Sequence, residues 1–178
     1  MSGRCDRIVP LAVKIVVSGG PGVGKSTFIG AISEIEPGHS EGAISQVSVG
    51  VDALDFGRIT LDPTIALYLF GTPGDEQGSC LWDDLAEGAL GAVVLADGRR
   101  VEECLPAVEY FEARGVPFVV AVNRFDGVGA VELEEVRGVP VLECDARERA
   151  SVRDVLGALM DRVVGVRSAP KGRVAMVP

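Results

Sequence analysis

The order of apolar and amphipathic segments predicts an α/β fold: a sheet of about six mostly parallel strands, with helices on both faces as the outer layers of three. Three observations lead there. Short apolar runs alternate with helix-forming stretches through the second half of the chain. The first apolar run ends in a cluster of glycines and passes directly into a helix start. The chain has 178 residues, 47% of them hydrophobic, which suits one domain with a sizeable core.

Taken in order, VPLAVKIVVSGG (9–20) reads as a buried strand running into glycines, with a helix from Lys25 onward. DFGRITL (55–61) and TIALYLF (64–70) are two extended segments separated by Asp62-Pro63, a turn short enough to pair them antiparallel. DDLAEGAL (83–90) reads as a helix and GAVVLAD (91–97) as a buried strand. VEECLPAVEYFEARG (101–115) is helical, PFVVAVN (117–123) a strand and VELEEVRG (131–138) a short helix. VPVLECDA (139–146) is a strand, and RASVRDVLGALMDRVV (149–164) closes the fold as a helix. The polar, small-residue stretch 34–50 reads as a loop, and no internal repeat or second domain is evident. The expected organisation is an N-terminal arm (1–6), one domain (7–164) and a flexible C-terminal tail (165–178).

Composition excludes several classes of function. The net charge is −9, from 26 acidic against 17 basic residues, and an acidic surface repels nucleic-acid backbones. Cys5, Cys80, Cys104 and Cys144 are scattered without a CxxC pair, and His39 is the one histidine, so reduced thiols are expected rather than a zinc site. No apolar run approaches the roughly 20 residues that span a bilayer. MSGRCDR lacks a signal-peptide core and AMVP lacks a prenylation cysteine. A cytoplasmic protein with no direct membrane anchor is expected, reaching a membrane only through a partner.

The sharpest motif is Gly19, four residues, then Gly24-Lys25-Ser26, which fits GxxxxGK[ST]. Phosphate oxygens need backbone N–H groups curled around them, in conformations that side chains obstruct, hence the glycines. In that loop Gly20, Pro21, Gly22, Val23, Gly24 and Thr27 surround the phosphates. Lys25 supplies a point charge to the outer ones, and the Ser26 hydroxyl is a ligand for Mg2+. The alternative is a plain glycine turn between strand and helix, which the position directly after the first strand disfavours. This motif leaves the base and the reaction open among kinases, ATPases and GTPases.

The base is read further on. NRFD places Asn123 and Asp126 at the first and fourth positions of the NKxD pattern. A carboxylate there accepts from the two N–H donors on the edge of guanine, and adenine presents no such pair. Asn123 can tie this loop to the phosphate loop, and the stem of Arg124 can cover the base in place of lysine. After the next strand, Asp145-Ala146-Arg147 occupies the place of the SAK-like loop of small GTPases.

On these motifs the chain resembles a Ras-like small GTPase over residues 7–164. It is most similar to the bacterial MglA-like branch, in particular the GTPases of actinobacterial conservons. The phrases that carry this stand at Leu54–Leu61, Leu67–Gly74, Trp82–Arg100 and Val120–Gly127. The resemblance implies GDP/GTP binding, Mg2+ and a partner of the Roadblock/LC7 type. It also implies that the backbone N–H of Ala146 faces the guanine carbonyl. Several switch residues depart from the wider pattern. Gly71 stands where the third strand ordinarily carries the Mg2+ aspartate, and in the resembling branch Asp55 of the second strand takes that role. Asp75 replaces the glutamine that orients water and is the one candidate catalytic residue beside Lys25. Gln77 lies two residues beyond Asp75, Val51 replaces the switch threonine with Ser48 the nearest hydroxyl, and Pro21 removes one donor from the phosphate loop. The reading is a guanine-nucleotide switch with weak or absent hydrolysis. The alternatives are a constitutive GDP-bound interaction module or, ranked last, a P-loop ATPase. Arg99 and Arg100 read as a solvated helix start.

Overall fold

A computed structural model describes residues 10–35, 55–73, 79–124, 135–136 and 138–168. The described strands are β1 (Leu11–Gly19), β2 (Phe56–Asp62), β3 (Ile65–Gly71), β4 (Gly91–Asp97), β5 (Phe118–Asn123), β6 (Glu135–Val136) and β7 (Val139–Cys144). The helices are α1 (Lys25–Ile32), α2 (Ser79–Ala86), α3 (Leu105–Arg114) and α4 (Arg149–Ser168), with a 3-10 turn at Val101–Cys104 leading into α3.

Among the described residues the strands lie in the order β2-β3-β1-β4-β5-β7-β6. β1, β3, β4, β5 and β7 run parallel, while β2 joins β3 and β6 joins β7 antiparallel. The expected parallel sheet of about six strands is therefore present, and the two-residue β6 adds a seventh.

Alternation along the strands divides the core in two. Ile15 and Val17 of β1, Val93 and Leu95 of β4, and Val119 and Ala121 of β5 pack with Phe28 of α1 and with Val155 and Leu159 of α4. Val16, Val94, Val120 and Val122 face the other way, onto Leu85 of α2 and onto Ala107, Val108 and Phe111 of α3. Such two-sided burial explains why β4 and β5 are apolar up to their last residues, Asp97 and Asn123.

Three expectations are corrected. Residues 135–136 of the expected short helix 131–138 are strand: Glu135 pairs with Pro140 and Val136 with Val139. Gly138, at φ 76°, supplies the left-handed residue that so tight a reversal requires. α2 lies earlier than 83–90, because Gly88 (φ 70°) follows its end and the Ala89 N–H closes back on the Ala86 carbonyl at 3.1 Å. α4 continues to Ser168, past the 164 boundary drawn from sequence.

β2 forms one edge of the sheet, and at Arg58 and Thr60 its outward backbone is already engaged. The Arg58 N–H donates to Ser33 Oγ at 3.3 Å, and the Arg58 carbonyl accepts from the Glu34 N–H at 2.8 Å. The Glu34 carboxylate accepts from the side chain and backbone of Thr60, which lowers its pKa.

Candidate functional site

The carboxyl ends of the parallel strands bring the candidate residues to one rim of the sheet. In register there, Val17 lies beside Gly71, Asp97 beside Asn123, and Asn123 beside Cys144. Gly19 ends β1 at the same rim, and the phosphate loop turns from it into α1.

The loop needs its glycines for identifiable reasons. A Cβ on Gly19 would sit 2.4 Å from the Leu95 carbonyl oxygen, and one on Gly24 would sit 2.6 Å from Asn123 Nδ2. Gly24 is also left-handed, at φ 102°, where it leads into α1. Lys25 is buried, and its Nζ donates to the carbonyls of Gly19 at 3.0 Å and Gly20 at 2.9 Å. Burial lowers its pKa, and the nearby Asp55 charge opposes the change. Pro21, Gly22, Ser26 and Thr27 are exposed at the mouth of the loop, and Val23 is buried beneath it.

Asp55 meets Ser26. The Ser26 hydroxyl donates to Asp55 Oδ2 at 2.7 Å, so the two side chains expected to hold Mg2+ converge although 29 residues separate them. Gly71 makes room for this arrangement: a Cβ there would lie 2.8 Å from Asp55 Cβ and 3.3 Å from Oδ2. The Asp55 carboxylate, one residue before β2, thus fills the space that a β3 side chain would take. One carboxylate and one hydroxyl fit Mg2+, which takes few protein ligands and keeps several waters. Among the described residues no group of three or more His, Cys, Asp or Glu forms a denser metal site. Beside Gly71, the buried Thr72 hydroxyl donates to Ser18 Oγ at 3.1 Å.

Asn123 is the link between loops. Its Nδ2 donates to the Val23 carbonyl at 3.0 Å, and its Oδ1 accepts from the Ala146 N–H at 2.9 Å. In this structure the Ala146 N–H is therefore directed at Asn123, not at an open face where a guanine carbonyl could approach. Arg124 pairs with Glu143 at the surface. Asp145 accepts from the backbone N–H and Nε of Arg147, both at 2.9 Å, and the Arg147 hydrogen bond holds its carboxyl down at about 2. Asp126, Asp75, Gln77, Ser48 and Val51 lie outside the described residues, as do His39 and Cys5. Cys104 and Cys144 are free, buried thiols with raised pKa, Cys144 to about 11 by desolvation, which makes them unreactive.

Sequence reasoning missed Asp97 and Glu103 at this rim. Asp97 is the one polar residue closing an otherwise apolar β4, directly before two arginines, and that interruption is the signal that could have marked it.

A glycine loop between β1 and α1, with Lys25 opening that helix, on a sheet of this strand order, defines the P-loop NTPase fold. Solved structures agree with that class. The FeoB G-domain of Methanococcus jannaschii superposes with a TM-score of 0.62 at 19% identity, over 86% of this chain and 98% of that one. The cytosolic domain of the T. maritima FeoB iron transporter, in a GDP form, superposes with a TM-score of 0.66 at 18% identity, over 87% of this chain and 64% of that one. At such identities the likeness is one of fold. By sequence, residues 48–164 match the family described as conserved hypothetical ATP binding protein, and the chain belongs to that family. No protein of curated function matches the chain in sequence. Among the described residues no helix is long and apolar enough to cross a membrane.

Proposed function

We propose that the chain is a guanine-nucleotide-binding switch protein that holds the γ-phosphate poorly and hydrolyses GTP slowly or not at all without help. The observation that carries this reading is the Asn123 bridge, which fastens the phosphate loop at Val23 to the Ala146 loop. Asp126 follows Asn123 at the spacing of a guanine-reading carboxylate. The family description names ATP and the T. maritima structure is a GDP form, so the base must be decided by this chain's own residues. A P-loop ATPase would leave Asp126 without a role.

Gly20, Gly22, Gly24, Lys25 and Thr27 would hold the phosphates. Ser26 and Asp55 would hold Mg2+, and Arg124, Asp145 and Arg147 would frame the base. Mg2+ would supply charge neutralisation across the outer phosphates when bound. Water attacks the γ-phosphate in GTP hydrolysis, and here Lys25 would take up charge from it. Val51 in place of the switch threonine and Asp75 in place of glutamine weaken the remaining apparatus. A Roadblock/LC7-type partner, a role in bacterial signalling, a cytoplasmic location and recruitment to a membrane through that partner rest on the family resemblance alone.

Calorimetry with GDP and ADP tests the base. The parent protein should bind GDP and not ADP, and Asp126→Asn should weaken GDP by about 100-fold while favouring xanthosine diphosphate, since two hydrogen bonds to a charged acceptor are lost. Equal binding of ADP and GDP by the parent sinks the assignment. The same titration should show Lys25→Ala losing about 100-fold or more in GDP affinity, because a buried ammonium at the phosphates makes charge-assisted bonds. Parent-like binding by that variant would leave the loop a mere turn.

A second reading, a GDP-bound module that does not switch, is favoured by the fastening of α2. Lys14 Nζ donates to the Asp84 and Glu87 carbonyls at the end of that helix, both at 2.9 Å. Asp83 accepts from Tyr110 at 2.7 Å and pairs with Arg114, both of α3. Exchange of bound GDP for GTP separates the two readings, since a switch must release GDP.

A further inference from the structure

Five charged side chains, Asp97, Arg99, Arg100, Glu102 and Glu103, stand between the end of β4 and α3, and nucleotide binding as described uses none of them. Asp97, 4% exposed, accepts from the Arg99 backbone N–H at 2.9 Å, Nε at 3.1 Å and Nη2 at 3.0 Å. Arg100 Nη2 lies 3.5 Å from Asp97 Oδ2, and Arg100 Nη1 donates to Glu103 Oε1 at 2.9 Å. Glu103 turns its other oxygen to the phosphate loop. A Cβ on Gly20 would lie 2.9 Å from Glu103 Oε2 and 3.2 Å from Glu103 Cβ. Gly20 is in turn the residue whose carbonyl accepts from Lys25 Nζ. A carboxylate therefore rests against Gly20, the residue whose carbonyl the lysine engages, and Arg100 pairs with that carboxylate.

We infer that the Arg100–Glu103 pair sets the preference of the phosphate loop between nucleoside diphosphate and nucleoside triphosphate. The inference rests on the nucleotide-binding reading and adds a specificity determinant to it. A fixed negative charge beside the loop repels each phosphate, so it opposes the triphosphate, with its additional charge, more than the diphosphate. With Arg100 in place the pair is a dipole whose negative end faces Gly20, leaving a small bias toward the diphosphate. Without Arg100 the full carboxylate charge acts on the loop. Without the Glu103 charge, Arg100 becomes a second cation beside it. Both side chains are partly exposed, at 50% and 34%, so the effect is modest and screened by salt.

The test is the ratio of Kd for a non-hydrolysable GTP analogue to Kd for GDP, measured at low and high salt. The parent, Arg100→Ala, Glu103→Gln and the double variant are compared, each checked for a cooperative melt. Arg100→Ala should raise the ratio and Glu103→Gln should lower it, each by roughly two- to fivefold at low salt. The double variant should return near the parent, and the differences should shrink at high salt. A merely structural buttress would weaken both nucleotides alike in both single variants, and that pattern overturns the inference. An unchanged ratio in every variant also overturns it, while leaving nucleotide binding by the parent intact. Failure of the parent to bind either nucleotide removes both readings together.

Discussion

Gly71→Asp, which restores the aspartate ordinarily found on the third strand of small GTPases, is expected to damage the protein rather than improve it. The added Cβ would come within 2.8 Å of Asp55 Cβ and 3.3 Å of Ile29 Cδ1, in a place where backbone and core leave little room to yield. Overpacking of this kind costs about 1–3 kcal/mol, and a second carboxylate beside the first adds like-charge repulsion. Urea denaturation should show a loss of about 3 kcal/mol or more, and calorimetry should show nucleotide binding weakened when Mg2+ is present. Asp55→Gly in the same chain should recover most of both, because it moves the carboxylate from the residue before β2 to the end of β3 without adding a second. A Gly71→Asp single variant as stable as the parent would mean that Asp55 does not occupy this space.

Asn123→Ala should be nearly as disruptive, by a different route. The side chain is 5% exposed and satisfies a carbonyl on one loop and an N–H on another. Its removal leaves both groups without partners in buried surroundings, and such losses amount to about 1–3 kcal/mol per group. It also uncouples the phosphate loop from the Ala146 loop, so GDP should stabilise the variant less than it stabilises the parent in thermal melts. An undiminished shift on adding GDP would show that the two loops hold their positions independently.

Much of this was legible in the sequence where local pattern and packing agree. GAVVLAD marked its strand, Gly91–Asp97, to the residue, because an apolar run buried on both faces is bounded sharply, by Gly91 at its start and Asp97 at its end. The phosphate loop was legible because few residue types tolerate its backbone. The convergence of Ser26 with Asp55 was proposed from a family likeness; residue spacing alone would not reveal it, since the contact spans the whole first crossover. Segment 131–138 misled because its acidic residues suit a helix, whereas Gly138 allows a reversal in which Val136 pairs with Val139 of β7. The Asp97–Arg100–Glu103 cluster was opaque for another reason. Its contact with Gly20 crosses 83 positions of the chain, and charges beside a helix start look solvated until the loop packed against them is known.

The engaged edge of β2 bears on how this protein can meet others. An open edge strand invites any extended peptide, and neighbouring copies of the same chain, to continue the ladder. Here Ser33 and Glu34 already fill the outward hydrogen bonds at Arg58 and Thr60, so lateral growth of the sheet from this side would first have to strip them away. A protein arriving at this end of the domain therefore meets a surface that discriminates by side chain: the guanidinium of Arg58 over the Tyr68 ring, with Phe56 stacked beside it. Recognition there is a matter of shape and charge, and so of identity, whereas backbone pairing would accept almost any sequence.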